Sequence, residues 1–320
     1  MVIAHRGVAA ILSLAVVLGA VASVPRVFAY FQDAAPLGAN SFATATLNPP
    51  TNHSATGGYC ANQAWTATSS TFATGHELLR STVSGGPYTS VATITPRTAS
   101  SYVDGPPSPG TYYYVLRSYY QNWTSGYTAQ VSATVGHTWY LHNNPSPPTG
   151  NTSSQATLTM DQTAPSAGTL YNYDTDRDSY AGLLIERSNN GLSELDSRKF
   201  QVWRTAVLSC DVVLSGTATF PLWAGTREFR TGKAGSITAY LRDYDGSTYT
   251  EIASGTVTAA DWQGASSTFV QRTIAITGIN YTVAAGHQIE VRLLVNSSNS
   301  DEDMMLAYDT AAYPVTATLP

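Results

Sequence analysis

The sequence predicts an all-β protein made of two successive sandwiches, and three observations carry that expectation. Charged residues form only 12% of the 320-residue chain, about half the usual globular share of ~25%. Long amphipathic helices with Glu- and Lys-rich wet faces are therefore not expected. In place of charge stand Ser, Thr, Gly and 20 tyrosines, residues that favour strands and turns. Apolar residues also alternate with period two in short runs bounded by Gly, Pro, Asn and Asp, as in half-buried strands. The length suffices for two domains, each with a core of its own.

Residues 1–29 are expected to be an export signal. His5 and Arg6 precede an uncharged run, "GVAAILSLAVVLGAVASVP" at 7–25, and Val27-Phe28-Ala29 offers small residues before a cut at Tyr30. A retained anchor is the alternative, because the run approaches the length that spans a bilayer; membrane contact is expected only through this segment if it stays uncleaved. Residues 30–45 would then open the mature chain. Here "AYFQDAAPLGANSFATATL" resembles the mature start of exported bacterial proteins of the camelysin and biofilm-fibre type. Ala29, Tyr30, Phe31, Asp33, Asn40, Phe42 and Leu47 carry the likeness, while Gln32 and Ala45 depart from it. The resemblance implies export. Residues 30–47 are also a candidate strand for a neighbour's sheet edge, and so for self-association.

The first sandwich is expected over 46–136. Trp65, "GHELLRST", "SSYVDG" and "PGTYYYVLRSYYQNWTS" follow one another at sandwich spacing, with turns at Gly85-Gly86-Pro87 and Pro106-Pro107. This stretch resembles a fibronectin type III domain. The resemblance places Trp65 as the buried strand-B tryptophan and His76 on strand C. Alternation puts Tyr112, Tyr114 and Leu116 on one face, and Tyr113, Val115 and Arg117 on the other. Tyr112 is the expected tyrosine-corner residue, whose hydroxyl bonds back to the main chain, with Tyr113 as the alternative. The "HELLR" at 76–80 begins like a zinc-protease helix motif. Arg80 replaces the second His and the segment reads as a strand, so it is expected to be structural.

A Pro-, Asn- and Ser-rich linker is expected over 137–154 as a semi-rigid spacer. His137 and His142 within it read as solvated loop residues. From 155 to 320, short alternating runs recur: Ala218, Phe220 and Leu222; Ile237, Ala239 and Leu241; Ile289, Val291, Leu293 and Val295; Val315, Ala317 and Leu319. Pro221 points to an edge strand or a bulge, and Asp245-Gly246 to a hairpin. About eight strands of this kind suggest a larger sandwich of jelly-roll type. The pattern is similar to galactose-binding-like and carbohydrate-module jelly rolls, without their diagnostic binding residues.

Chemistry is sparsely marked. Asp174, Asp176 and Asp178 alternate in "YDTDRDS" and are the candidate metal ligands, for a structural calcium helped by Asp301, Asp303 or Asp309. A solvated acidic turn partnered by Arg177 is the other reading. Tyr119, Tyr120, Trp123, Trp203, Trp223 and Trp262 are candidates for stacking on sugars or for core packing. Cys60 and Cys210 read as two separate small apolar residues, with pairing across the domains as the alternative. No other cofactor is expected, no Lys/Arg cluster invites nucleic acid, and no GxSxG, HExxH or phosphate loop marks an enzyme. The expectation is a non-catalytic protein, secreted or at the cell surface, that serves structure or adhesion. A carbohydrate-binding protein whose jelly roll meets cell-wall or extracellular glycans is the alternative, and a secreted hydrolase or hydrolase accessory the third reading.

Overall fold

Strand periodicity becomes two stacked-sheet domains in the computed structural model. It describes residues 45–105, 108–143, 157–166, 168, 170, 183–185, 200–226, 229–295 and 304–320. The expected export signal, residues 30–44 and the acidic turn at 174–178 therefore lie outside the described residues, as do Asp301 and Asp303. Among the described residues every regular element is a strand, and no helix is long and apolar enough to cross a membrane.

The first sandwich comprises β1 (Thr51–Thr56), β2 (Ala61–Thr66), β3 (Gly75–Ser81), β4 (Thr89–Ile94), β5 (Ser101–Asp104), β6 (Gly110–Tyr120), β7 (Trp123–Thr124) and β8 (Val131–Val135). One sheet runs β1-β2-β5. The other runs β4-β3-β6-β7, with β8 also paired to β6. This is the strand order of a fibronectin type III sandwich. Between the sheets lie Trp65, Leu78, Ile94, Tyr112, Tyr114, Leu116, Ala133 and Val135, the inward parity expected for β6. Tyr112 is the tyrosine corner: its hydroxyl donates to the Ser108 carbonyl, four residues upstream, at 2.8 Å. In β3, His76 is fully buried and its Nε2 bonds to the Arg97 carbonyl at 2.8 Å. Burial lowers its pKa, so it serves as a neutral core donor.

The second sandwich begins earlier than the expected boundary at 155. Residues 138–141, assigned from sequence to the spacer, form β9 (Thr138–Leu141), which pairs with the last strand and with β10 (Leu158–Asp161). Trp139 and Leu141 are buried in its core, and their alternation with Thr138 and Tyr140 is a strand signal that the flanking prolines and asparagines obscured. The remaining strands are β11 (Leu183–Ile185), β12 (Phe200–Arg204), β13 (Val212–Thr226), β14 (Gly235–Tyr244), β15 (Tyr249–Ala259), β16 (Val270–Val283), β17 (Gln288–Val295), β18 (Met304–Ala307) and β19 (Thr316–Thr318).

Hydrogen bonding runs β11-β18-β13-β19-β9-β10-β12-β17-β14-β15, and β16 pairs with β13. The β10–β12 pairing is parallel and joins the two leaves. Every residue of the four expected inward runs is buried between them. Strand β13 is interior: β16 pairs with it from Val212 to Ala224, with a register shift between Gly216 and Ala218. Pro221 pairs with Thr273 of β16 and falls between the β19 pairing at Thr219 and the β18 pairing at Trp223, so it is neither on an edge strand nor at the register shift, contrary to expectation. The β14–β15 hairpin turns at Asp245-Gly246. Gly246 takes a φ of 100° there, and the Asp245 carboxylate accepts the Ser247 and Thr248 amides at 2.8 and 2.7 Å.

Tyr112→Phe keeps the ring and removes one buried bond, so it is expected to cost about 1–2 kcal/mol. Urea denaturation of the two proteins checks this, with Tyr113→Phe expected to be near neutral.

Candidate functional site

Two glycines open the junction between the sandwiches. A Cβ at Gly57 would stand 1.9 Å from the Thr134 carbonyl oxygen, so only glycine permits this approach. Next to it Gly58 bridges Val135, and the Gly136 amide donates to the Gly58 carbonyl at 3.0 Å. The turn delivers Tyr59 into a three-ring stack, 4.4 Å from His137 and 5.1 Å from Trp139 between centroids, with interplanar angles of 13° and 22°. The Tyr59 hydroxyl donates to the Pro320 carbonyl at 3.2 Å, and Gln162 donates to the carbonyls of Gly58 and Gly136.

Cys60 follows, and it is disulfide-bonded to Cys210, 150 residues away, with Cα atoms 6.2 Å apart. The expectation of two separate cysteines is therefore corrected. Each lies at the domain edge, Cys60 at the start of β2 and Cys210 just before β13. Neither neighbourhood in sequence betrays the other.

Clefts of about 310 Å³ and 450 Å³ flank Tyr59 and the disulfide. The smaller reaches from Tyr59 to the Thr205–Ser209 loop and includes Asp161; the larger includes His137 and Asp211. Among the described lining residues the carboxylate side chain is Asp161 in the smaller cleft and Asp211 in the larger. Burial lowers the pKa of His137, leaving it neutral in the stack.

His142, expected to be a solvated loop residue, bonds to two acids. Its Nδ1 lies 2.8 Å from Asp309 Oδ1 and its Nε2 3.0 Å from Asp161 Oδ1. Asp309 also accepts the Asn143 amide at 2.8 Å. These acids come from 19 and 167 residues downstream, so local sequence offered no company for the histidine. The bond to Asp309 foremost raises the His142 pKa. Asp309, expected as a helper of the acidic turn, is committed to this histidine. Among the described residues no group of three or more His, Cys, Asp or Glu is placed to hold a metal ion.

A second charged cluster lies across β12, β17 and β14. Register places Arg204, Glu290 and Arg242 side by side. Glu290, nearly fully buried, accepts Arg204 Nε at 2.7 Å and Arg242 Nη1 at 3.3 Å. The Arg204 guanidinium stands 3.3 Å from the Tyr244 ring centroid, and that of Arg242 4.0 Å from Tyr249. Cation–π contact thus replaces part of the water these arginines lose.

The six candidate aromatics divide. Trp203 and Trp262 are fully buried, and Trp223 packs on Tyr313 at 5.5 Å, so all three serve packing in the second sandwich. Tyr119 is half-buried, while Tyr120 and Trp123 are 37% and 52% exposed. Tyr127, which sequence reasoning passed over, is 47% exposed on the same sandwich.

No protein-family model matches this chain, and no curated protein matches it. Among solved structures it is similar to an Fn3-like protein from Clostridium thermocellum, at 32% identity over 28% of this chain and 93% of that one, with a TM-score of 0.25. It is also similar to carbohydrate-binding modules from the β-sandwich superfamily, at 12% identity over 86% of this chain and 98% of that one, TM-score 0.22. An aminopeptidase from a marine sediment Thaumarchaeota archaeon matches at 12% identity over 57% of this chain and 36% of its own length, TM-score 0.38.

Glu290→Ala leaves the buried guanidinium of Arg242 and the partly buried one of Arg204 without their carboxylate, and is expected to cost about 3 kcal/mol or more in guanidinium chloride unfolding. The His142 contribution has the opposite pH sense to that of a buried carboxylate pair. Its folded pKa is raised above the unfolded value of 6.5, so the stabilisation is complete below that value and fades as pH rises through the folded pKa. Wild type is expected to exceed His142→Gln in melting temperature near pH 5.5, with the gap closing above neutrality.

Proposed function

We propose that this chain is a non-catalytic, exported protein with a structural or adhesive role, its two sandwiches held as one stiff unit. The observation that carries the reading is the Cys60–Cys210 disulfide at the ring-stacked junction. Disulfides persist in oxidising compartments outside the cytosol. A covalent tie between domains fixes their spacing, which suits a spacer or an adhesive arm.

Carbohydrate binding is the second reading, favoured by the exposed rings of Tyr120, Trp123 and Tyr127. They lie on the first sandwich, whereas the sequence reading looked to the jelly roll for the glycan.

The test is secretion into an oxidising compartment, then alkylation with mass spectrometry and retention on polysaccharide- and protein-coated surfaces. The expected result is no free thiol, retention on a surface, and no release of sugar, amine or acid product. Two free thiols in the secreted protein, or turnover of any substrate, would overturn the reading. Cys60→Ala/Cys210→Ala is expected to lose about 2–5 kcal/mol of stability and to broaden the interdomain distance distribution in small-angle scattering.

A further inference from the structure

The outward face of the first sandwich's larger sheet carries a set of rings that its own core does not use. In β3 and β6 the pairs His76–Ser118 and Leu78–Leu116 face inward, all four fully buried, so Gly75–Tyr119 and Glu77–Arg117 face outward. A Cβ at Gly75 would come within 3.0 Å of the Tyr119 ring; the ring lies across the glycine and is steadied by it. Beside it, Arg117 Nε donates to Glu77 Oε2 at 2.6 Å, and the same guanidinium stands 5.5 Å from the Tyr127 ring centroid. Tyr127 meets Tyr88 edge-on at 5.9 Å. The Tyr88 hydroxyl donates to Gln130 Oε1, which also accepts the Gly85 amide at 2.7 Å. Trp123 pairs with Tyr120 in the β6–β7 hairpin, so it shares the parity of Tyr120 and lies on the opposite side of the sheet from Tyr119.

We propose that this face binds an uncharged saccharide chain. Sugar rings would stack on Tyr119 and Tyr127, and hydroxyls would bond to Arg117 and Glu77. This rests on the carbohydrate-binding reading and gives it a place and a ligand class. Three features select the chemistry. The rings are held by neighbours, so little side-chain entropy remains to be lost on binding. Tyrosine offers an apolar face with a polar edge, which matches a sugar's C–H face and hydroxyl rim. The face is electrically balanced, because its one guanidinium and one carboxylate already pair through Nε. It therefore attracts no ion, yet places donors and acceptors side by side for vicinal hydroxyls.

The experiment uses the full oxidised chain. Retention on cellulose and chitin, and retardation in gels containing xylan, mixed-linkage glucan or alginate, are compared for wild type, Tyr119→Ala/Tyr127→Ala, Tyr127→Ala and Tyr249→Ala. Tyr249, exposed on the second sandwich, reports on the other domain. Binding is expected to fall about ten-fold or more in the double variant. It should weaken in Tyr127→Ala, stay unchanged in Tyr249→Ala, and persist in 1 M salt. Tyr127 is exposed on an irregular segment, so its single variant keeps the test decisive if the double variant fails to fold. Binding that survives the first-sandwich variants and is lost in Tyr249→Ala would overturn this face while leaving carbohydrate binding standing. Binding confined to alginate or abolished by salt would overturn the uncharged ligand. Dimerisation lost in the double variant would assign the face to a second copy. Wild-type protein that binds none of these glycans would overturn the proposal and the reading beneath it.

Discussion

The close approach of the Gly57–Cys60 turn to the second sandwich is the constraint on which the other features depend. Within the first sandwich the turn is held main chain to main chain at Gly58 and Val135, and across the junction it sets Tyr59 against His137 and Trp139. The disulfide then closes a loop of 150 residues. A cross-link of that span removes much freedom from the unfolded chain, while stack and hydrogen bonds fix the folded geometry. Two domains that share only a peptide link would move independently. Here one turn supplies a covalent bond, stacked rings and carbonyl contacts together, and residues 47–320 form one compact unit.

Scarcity of charge shapes the rest. In a chain with 16 basic and 21 acidic side chains, many are used internally. Arg80 bonds to Asp104 at 2.7 Å, and Tyr114 donates to the same carboxylate at 2.8 Å. His287 bonds to Asp243, and Arg204 and Arg242 share Glu290. Buried ion pairs of this kind add little stability beyond an apolar substitute and lose much when one partner is removed. Their effect is to fix which strands lie side by side, since Arg204, Glu290 and Arg242 satisfy one another only in this register.

Much of the fold was legible because strands alternate. Inward parity identified Tyr112 over Tyr113 as the corner tyrosine, placed the β17 valines and leucines in the core, and located the Asp245-Gly246 turn. Alternation has a limit in the same strand. In β17, Glu290, Arg292 and Leu294 are buried as well as the apolar parity, and nothing in a period of two reveals that the second face is also covered. The spacer assignment failed at Thr138–Leu141 for a related reason: four residues flanked by prolines and asparagines are too few to show a period. The surface aromatics divided by position, with Trp203 and Trp262 drawn inward by strand parity and by packing, and Tyr127 left outside on an irregular segment.

The sequence by itself determined the class of the fold, the parity of its strands and its principal turns. Each follows from neighbours a few residues apart and from the limits that backbone geometry places on Gly, Pro and Asp. Only the tertiary structure decided which distant groups meet. Cys60 finds Cys210, His142 finds Asp309, and Gly75 leaves room for the ring of Tyr119. These contacts depend on strand order and on domain docking, which arise from packing summed over the whole core. No local window of sequence carries that sum.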